Sequence, residues 1–428
     1  MKKLLLMAAL AFCACPAPMN TPDGGADAGT GPQDEAEVTR GRLLVADGTA
    51  AKLTVIDLDD GSKPGTFTLQ GPAAVYSDAE DTLGFGYLVQ RANNVTQLVT
   101  SGVGFEDHDG HFHIGKQAPT LLSSSIAGAT PTHFVLHDGW ATIFNDGDGT
   151  ADFFQTSQLA IGMVAPTRHS TGFAHHGVAL VSNGRLLAST PDPVDPAPGA
   201  SRLPIGVSSR LANDPTMLEG EFNECPRLHG EGSNDTRVAF GCSDGVLVLT
   251  WNGSKFESRK IANPAGIPAT TRVGTVLGAH DLNVFVGNFG SDALSIIDPA
   301  AGTITPVPLP TTYFGFKLFH GEHVIVLTLD GKLHKLDPKT GASQGTPVEV
   351  IPAYAMAPTG HDAVRPALAL GVDRAYVSDP RSGKVVEVDI EHWEVERTFE
   401  VGGAPASMGV VSASPDFGEH HEHEHEEG

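Results

Sequence analysis

The sequence has few basic residues and almost no cysteine. Its 428 residues include 27 Lys and Arg against 51 Asp and Glu, a formal net charge of -24, and 4 Cys. Nucleic acids and anionic membranes attract basic surfaces, so this composition excludes both as partners and makes divalent cations natural ligands. The sequence also lacks a glycine-rich phosphate loop, a strand-elbow serine motif and a Cys-x-x-Cys pair. The chemistries that depend on those motifs are therefore not indicated.

The N-terminal apolar run is too short to cross a bilayer. A basic start precedes the apolar segment 4–12, a pattern typical of an export signal. We expect residues 1–15 to be a bacterial lipoprotein signal that leaves a lipid on Cys15. Cys13 is the alternative lipid acceptor, and a secreted protein cleaved nearby is the alternative interpretation. Residues 16–39, rich in Pro, Gly, Ala, Asp and Thr, predict a flexible linker. The expected location is periplasmic or at the cell surface.

Two cysteines remain after the linker, Cys225 and Cys242, and both are flanked by strand and turn residues. In an oxidising compartment we expect them to form a disulfide. The bridge would close a loop of roughly 17 residues and contribute about 3 kcal/mol in the chain-entropy model. The alternative is a pair of thiolate zinc ligands.

One unit recurs along the chain: a β-branched strand, a turn with Asp or Asn and Gly, and a second strand that ends in an acidic residue. Clear copies lie at 43–57, 284–298, 324–337 and 375–389. The mean spacing of about 40 to 50 residues is typical of four-stranded propeller blades.

The repeats predict an all-β fold, a β-propeller over residues 40–414. We prefer eight blades to seven, with an extra unit at 75–103, and a β-sandwich array is the poorer alternative. No repeat follows segment 405–411. This segment is therefore expected to be the innermost strand of the first blade, which closes the ring.

Residues 106–113 read Glu-Asp-His-Asp-Gly-His-Phe-His. Alternate side chains of an extended segment point to the same side, so His111 and His113 share a face, and Gly110 lets the chain bend to bring His108 towards them. Neutral imidazole suits Zn²⁺, with carboxylate as the usual supplement. We predict zinc binding by these three histidines, and the alternative is a solvated polar hairpin.

Histidine also recurs shortly before the strand-turn-strand unit of successive repeats, as at His133 and His137. The innermost propeller strands and the loops that feed them line one mouth of the central channel, so these histidines are expected to meet there and to share a site with segment 106–113. Adjacent histidines on a strand face opposite sides, so one member of a pair is expected to coordinate. The selected ligands are His137, His175, His176, His229, Glu231 and His280.

The C-terminal segment 415–428 mixes imidazole and carboxylate side chains from Glu419 to Glu427, with no apolar residue among them. We expect a disordered tail that captures zinc weakly and passes it to a tighter site, through His420, His421, His423 and His425. A purification tag is the alternative. Segment 145–152 resembles an acidic calcium loop, but a plain hairpin turn explains it equally well.

Four segments together resemble the AztD family: 106–113, Ala-His-His-Gly-Val-Ala at 174–179, Cys-Pro-Arg-Leu-His-Gly-Glu at 225–231, and Phe-Gly-Cys-Ser-Asp-Gly at 240–245. The resemblance covers nearly all of the chain after the linker. It implies an exported zinc metallochaperone, a β-propeller that holds Zn²⁺ tightly and passes it directly to the solute-binding protein of an ABC importer. The family often has a separate histidine-rich segment, which in this chain lies at the C-terminus.

The leading hypothesis is a non-enzymatic, monomeric zinc chaperone that contacts a membrane only through its lipid. The expected cofactor is Zn²⁺, and the expected partner is a periplasmic zinc-binding solute-binding protein. The first alternative is a metal-dependent hydrolase or lactonase with Glu106 or Glu231 as general base. The second is a surface propeller for protein interaction that binds zinc only at its tail.

Overall fold

The computed structural model describes residues 39–77, 84–108, 111–162, 164–194, 196, 202–268, 271–360 and 363–413. Within these ranges, the side chains of residues 105–108, 111–113, 161, 412 and 413 are not described. The predicted signal, the linker up to residue 38, the lipid acceptor Cys15 and the tail with its histidines lie outside the described residues.

The described chain forms eight four-stranded antiparallel sheets, which are the blades of a β-propeller, and one two-stranded sheet. The first four blades, each written from its innermost to its outermost strand, are blade 1 with β34 (Pro405–Ala413), β1 (Thr39–Asp47), β2 (Lys52–Asp57) and β3 (Gly65–Thr68); blade 2 with β4 (Ala74–Ser77), β5 (Phe85–Gln90), β6 (Val95–Thr100) and β9 (Thr120–Ala127); blade 3 with β10 (Pro131–His137), β11 (Trp140–Asn145), β12 (Thr150–Gln155) and β13 (Thr167–Ser170); and blade 4 with β14 (Ala179–Ser182), β15 (Arg185–Pro191), β16 (Pro204–Leu211) and β17 (Asp214–Phe222).

The other four blades follow the same order without interruption. They are blade 5 with β18 (Glu231–Ser233), β19 (Arg237–Cys242), β20 (Gly245–Trp251) and β21 (Phe256–Ala262); blade 6 with β22 (Val276–Leu277), β23 (Phe285–Asn288), β24 (Ala293–Asp298) and β25 (Thr303–Pro308); blade 7 with β26 (Tyr313–Phe319), β27 (His323–Thr328), β28 (Lys332–Leu336) and β29 (Val348–Glu349); and blade 8 with β30 (Leu368–Leu370), β31 (Arg374–Asp379), β32 (Lys384–Asp389) and β33 (Glu394–Glu400). The chain also forms two short 3-10 helices, Arg91–Asn93 and Thr156–Ile161.

The hydrophobic core lies between neighbouring blades. Leu180 and Leu187 of blade 4 pack in one cluster with Phe240 and Leu247 of blade 5, and all four are fully buried. The middle strands of each blade are covered on both faces. This explains why they read as continuous apolar runs rather than as alternating patterns.

The ring closes where the sequence predicts it. Strand β34 pairs with β1 as the innermost strand of blade 1, with Val410 opposite Leu43 and Met408 opposite Val45. The carboxylate of Asp47 supports the junction, because it accepts hydrogen bonds from the N–H groups of Thr49, Ala50 and Ala404 at 2.8, 3.0 and 3.1 Å. The predicted eight-bladed propeller with a C-terminal closing strand is therefore confirmed.

The predicted disulfide is also present. Cys225 and Cys242 are bonded and fully buried, with their Cα atoms 5.0 Å apart. The bridge joins the segment before β18 to the end of β19, inside the cluster between blades 4 and 5. No helix in the described part of the chain is long and apolar enough to cross a membrane.

Candidate metal centre

Three histidines meet at the start of three consecutive innermost strands. His133 lies near the start of β10, His176 lies in the connection that leads into β14, and His229 lies two residues before β18. Their ligand nitrogens all lie within 4.8 Å of one another. Among the described residues, no other set of three or more His, Cys, Asp or Glu side chains is grouped in this way. The three rings are 4.9 to 5.4 Å apart between centroids.

Local backbone features aim these side chains. The pairing of β10 with β11 shifts register between Pro131 and His133, and such bulges turn a side chain away from the regular pleat. His176 and His229 are each followed by glycine. A Cβ on Gly177 would lie 2.3 Å from Ser189 Oγ, and Gly230 adopts a φ of 69° that favours glycine. Both His-Gly pairs are thus fixed by packing and backbone conformation.

Hydrogen bonds orient the rings of His176 and His229. The Nδ1 atom of His176 is 2.8 Å from Asp146 Oδ2, and the Nδ1 atom of His229 is 2.7 Å from the carbonyl oxygen of Gly274. Both partners only accept hydrogen bonds, so each Nδ1 carries the proton in the neutral ring. The lone pair is then on Nε2, the atom available to a metal ion.

The spacing fits a tetrahedral ion. The Nε2 atoms of His133 and His176 are 3.3 Å apart. Two ligands that are each about 2.0–2.1 Å from a tetrahedral zinc ion lie about 3.4 Å from one another. The ligand nitrogen of His229 lies within 4.8 Å of those of His133 and His176, so a small movement of His229 would complete a three-imidazole site.

All three histidines are partly exposed. A site with three protein ligands leaves a fourth coordination position for water or for a ligand from another molecule. The arrangement can therefore hold a zinc ion and still admit an incoming ligand.

Asp146 supplies a negative charge beside the centre. Its side chain is 10% exposed, and its Oδ1 atom is buried without a hydrogen-bond partner among the described residues. The Oδ2 atom accepts the proton of His176 Nδ1 and lies 3.7 Å from Arg91 Nη2. A carboxylate behind a ligating imidazole makes the ring a stronger ligand and fixes its orientation.

The sequence is 30% identical to the zinc chaperone AztD of Citrobacter koseri over 396 residues, which is 91% of each chain. The chain belongs to the AztD family of zinc chaperones. The structure matches that of apo AztD from the same organism with a TM-score of 0.78 and 28% identity, over 88% of this chain and 99% of that chain.

A dihydro-heme d1 dehydrogenase, NirN in complex with DHE, matches with a TM-score of 0.56 and 13% identity, over 89% of this chain and 77% of that chain, and shares the fold alone. No protein-family model matches the sequence. The AztD relative is a chaperone and not an enzyme, so membership of this family agrees with the predicted non-enzymatic role.

In the sequence of this AztD-family chain, the repeat pattern pointed to His176 and His229 but not to His133. His137 was the residue expected to coordinate from the same repeat. Both residues lie on β10, four positions apart, and strand alternation places them on the same face. His133 could have been found from its position near the start of an innermost strand, because His176 and His229 also lie just before innermost strands begin.

His175 lies outside the group of three. It is 3% exposed, with Nδ1 2.8 Å from the carbonyl oxygen of Phe173 and Nε2 2.8 Å from Ser189 Oγ. Burial lowers the pKa of the His175 imidazole, which favours the neutral ring. The structure thus brings His176 alone from the adjacent pair into the cluster.

Three further selected residues also lie outside the group. Glu231 is on β18, its Oε2 atom is buried without a hydrogen-bond partner in the described structure, and burial raises the pKa of its carboxyl to about 7. His137 lies at the far end of β10, with Nδ1 3.0 Å from Ser233 Oγ. His280 is exposed, with Nδ1 2.5 Å from Asp235 Oδ1.

The histidines of segment 106–113 lie on a hairpin inserted between β6 and β9. Its strands are β7 (Val103–His108) and β8 (His111–Lys116), with His108 opposite His111 and Glu106 opposite His113. The hairpin follows β6, which runs in the same direction as the innermost strand β4 because both pair antiparallel with β5. It therefore leaves blade 2 at the end where the innermost strand finishes, whereas His133 lies near the start of its own innermost strand. Its histidine side chains lie outside the described residues, so zinc binding by this segment stays a prediction.

Proposed function

We propose that this AztD-family chain binds Zn²⁺ through His133, His176 and His229 and delivers it to the solute-binding protein of a zinc ABC importer. The observation that carries the proposal is the convergence of three imidazoles, with a 3.3 Å separation between two Nε2 atoms that suits a tetrahedral ion. The acidic balance of the chain further favours a cation as cargo.

Release follows from the same geometry. Three protein ligands leave the fourth position to solvent, and the partly exposed rings let an acceptor side chain reach it. Each histidine then gives way to one ligand of the acceptor, so the ion is never fully hydrated during transfer.

The transfer is proposed to take place in the periplasm or at the cell surface, with the chain anchored by a lipid on Cys15 and acting as a monomer. The buried Cys225–Cys242 disulfide supports an oxidising compartment. Replacement of Cys15 by Ser is expected to release the protein from the membrane fraction. Retention of this variant on the membrane would contradict the lipid anchor.

The transfer assay uses protein loaded with one equivalent of zinc and the apo solute-binding protein of the same cell. A chelator that captures free zinc is present in excess. Direct transfer fills the acceptor at the same rate with and without chelator. Loss of all transfer to the chelator would refute a chaperone role, as would failure of the purified chain to bind one equivalent below micromolar concentration.

Two variants separate the centre from the tail. A chain that ends at Gly418 lacks the tail histidines and is expected to keep the tight equivalent while it captures zinc more slowly. His176→Ala in the full chain is expected to lose the tight equivalent. The matched control is His392→Ala, which removes an imidazole that is 68% exposed and paired with Asp389. If all binding disappears with the tail, the protein-interaction alternative is correct.

A further inference from the structure

Two arginines lie beside the three-histidine centre. Arg227 precedes His229 by two residues in the connection between β17 and β18. Arg272 precedes Gly274 by two residues in the connection between β21 and β22. A Cβ placed on Gly274 would be 3.7 Å from Arg272 Nε and 3.8 Å from His229 Nδ1. The side chain of Arg272 is therefore next to the imidazole of His229.

The two arginines contact each other and no acid. Arg272 Nη1 donates a hydrogen bond of 3.2 Å to the carbonyl oxygen of Arg227. Burial and the charge of Arg227 lower the pKa of Arg272, whereas a neighbouring carboxylate would raise it. Among the described residues neither guanidinium pairs with a carboxylate. Arg185, by comparison, has its Nε atom 2.9 Å from Glu219 Oε2.

The backbone fixes the position of Arg227. Its φ of 55° lies in the left-handed region, which residues other than glycine rarely adopt. The flanking residues hold it there, because Cys225 is in the disulfide and the N–H of Leu228 donates a hydrogen bond of 3.2 Å to the carbonyl oxygen of Pro204. Strained backbone of this kind is concentrated at binding sites. The exposed side chain of Arg227 thus starts from a fixed point.

Two positive charges in this position do not help the histidines to hold Zn²⁺. Like charges repel, so guanidinium groups beside the centre weaken its affinity for a dication. The same groups suit an anion, because the N–H groups of a guanidinium match the two oxygens of a carboxylate and bind them through paired hydrogen bonds. The pair is therefore placed to receive a negatively charged group that comes to the centre from outside the chain.

We propose that Arg227 and Arg272 form a carboxylate-binding site beside the three-histidine centre. The carboxylate belongs either to a small acid in solution or to an Asp or Glu side chain of an incoming protein. In both cases it supplies the acidic partner that the two guanidinium groups lack. The protein source rests on the proposed function, since a carboxylate of the acceptor held here would keep the acceptor next to the zinc ion.

The first experiment uses malonate, a small dicarboxylate, as the free probe. Calorimetric titration of the metal-free full chain at constant ionic strength is expected to show one bound malonate. Arg227→Gln and Arg272→Gln each remove one charge and are each expected to abolish this binding. The matched control is Arg365→Gln, which removes an exposed arginine from the connection between β29 and β30 and is expected to leave malonate binding unchanged.

The second experiment uses the apo solute-binding protein of the same cell. If the carboxylate belongs to the acceptor, Arg227→Gln and Arg272→Gln weaken its complex with the chain about tenfold or more, and Arg365→Gln does not. A complex that is equally strong with all three variants, together with malonate binding that depends on Arg227 and Arg272, identifies a free acid as the source. Thermal unfolding checks the fold of each variant.

The site is refuted if neither malonate binding nor the complex depends on Arg227 and Arg272. It is also refuted if Arg365→Gln reduces either quantity as much as the other two variants do. If the acceptor does not bind the unmodified chain, the proposed function fails and the malonate titration alone decides on the site. Because neither variant removes a zinc ligand, the two proposals fail separately.

Discussion

Replacement of His133 by Ala tests the three-histidine centre. The ring supplies one of three nitrogens within 4.8 Å, and its Nε2 atom is 3.3 Å from that of His176. Structural zinc sites with four ligands are worth about 10–16 kcal/mol, or about 2.5–4 kcal/mol for each ligand. Each 1.4 kcal/mol is a factor of ten, so His133→Ala is expected to weaken the tight site about 60- to 700-fold.

The assay is competition for zinc against a chromophoric chelator of known affinity, which reports the tightest site even when weaker sites are present. Thermal unfolding of the metal-free variant checks the fold, and His392→Ala serves as the surface control. A change of less than about threefold for His133→Ala, with the fold intact, would show that His133 is not a ligand.

Three further results are expected. Asp146→Asn removes the charge behind His176 and should weaken zinc binding about 10- to 100-fold in the same competition assay. Asp148→Asn, the same change in the same turn, should leave zinc binding unchanged. Equal effects of the two variants would show that only net charge matters. Asp47→Asn should lower the urea unfolding free energy by roughly 2 kcal/mol at neutral pH. Burial alone would raise the pKa of Asp47, but hydrogen bonds hold this pKa below its usual value. The stability that Asp47 contributes is therefore present above the unfolded-state pKa and is lost as the pH falls through the folded-state pKa. The loss should therefore shrink in acid, and a pH-independent loss would contradict this cause. Joint replacement of Cys225 and Cys242 by Ser should lower the unfolding free energy by about 3 kcal/mol, and an unchanged urea midpoint would show that the bridge is dispensable.

The repeat pattern predicted the propeller because it comes from the middle strands of the blades. Strands such as β1 and β31 are buried along nearly their whole length, so their apolar runs stand out. The innermost and outermost strands give a weaker signal: β22 and β29 have two residues each, and β25 is mostly exposed. The extra unit predicted at 75–103 corresponds to β4, β5 and β6 of blade 2.

The candidate site was predictable in part. The rule that channel residues recur in successive repeats pointed to His176 and His229, which the structure brings together. It could not separate His133 from His137, because both lie on one face of β10. Only the three-dimensional structure shows which end of this strand lies beside His176 and His229. It also could not show that Asp146, in a segment resembling a calcium loop, turns towards His176.

The dense segment 106–113 illustrates the same limit. A local cluster of histidines stands out in the sequence, whereas a site assembled from three blades shows only as single histidines spaced by whole repeats. Residues 133, 176 and 229 are separated by 43 and 53 positions, close to the length of one blade. The spacing of single histidines by whole repeats is therefore the pattern that pointed to His176 and His229.

Zinc-edge anomalous diffraction from crystals loaded with one equivalent of zinc tests the central claim most directly. One strong peak is expected about 2.0–2.1 Å from an imidazole nitrogen of each of His133, His176 and His229. A peak at His108, His111 and His113, with no density among the three channel histidines, would contradict it.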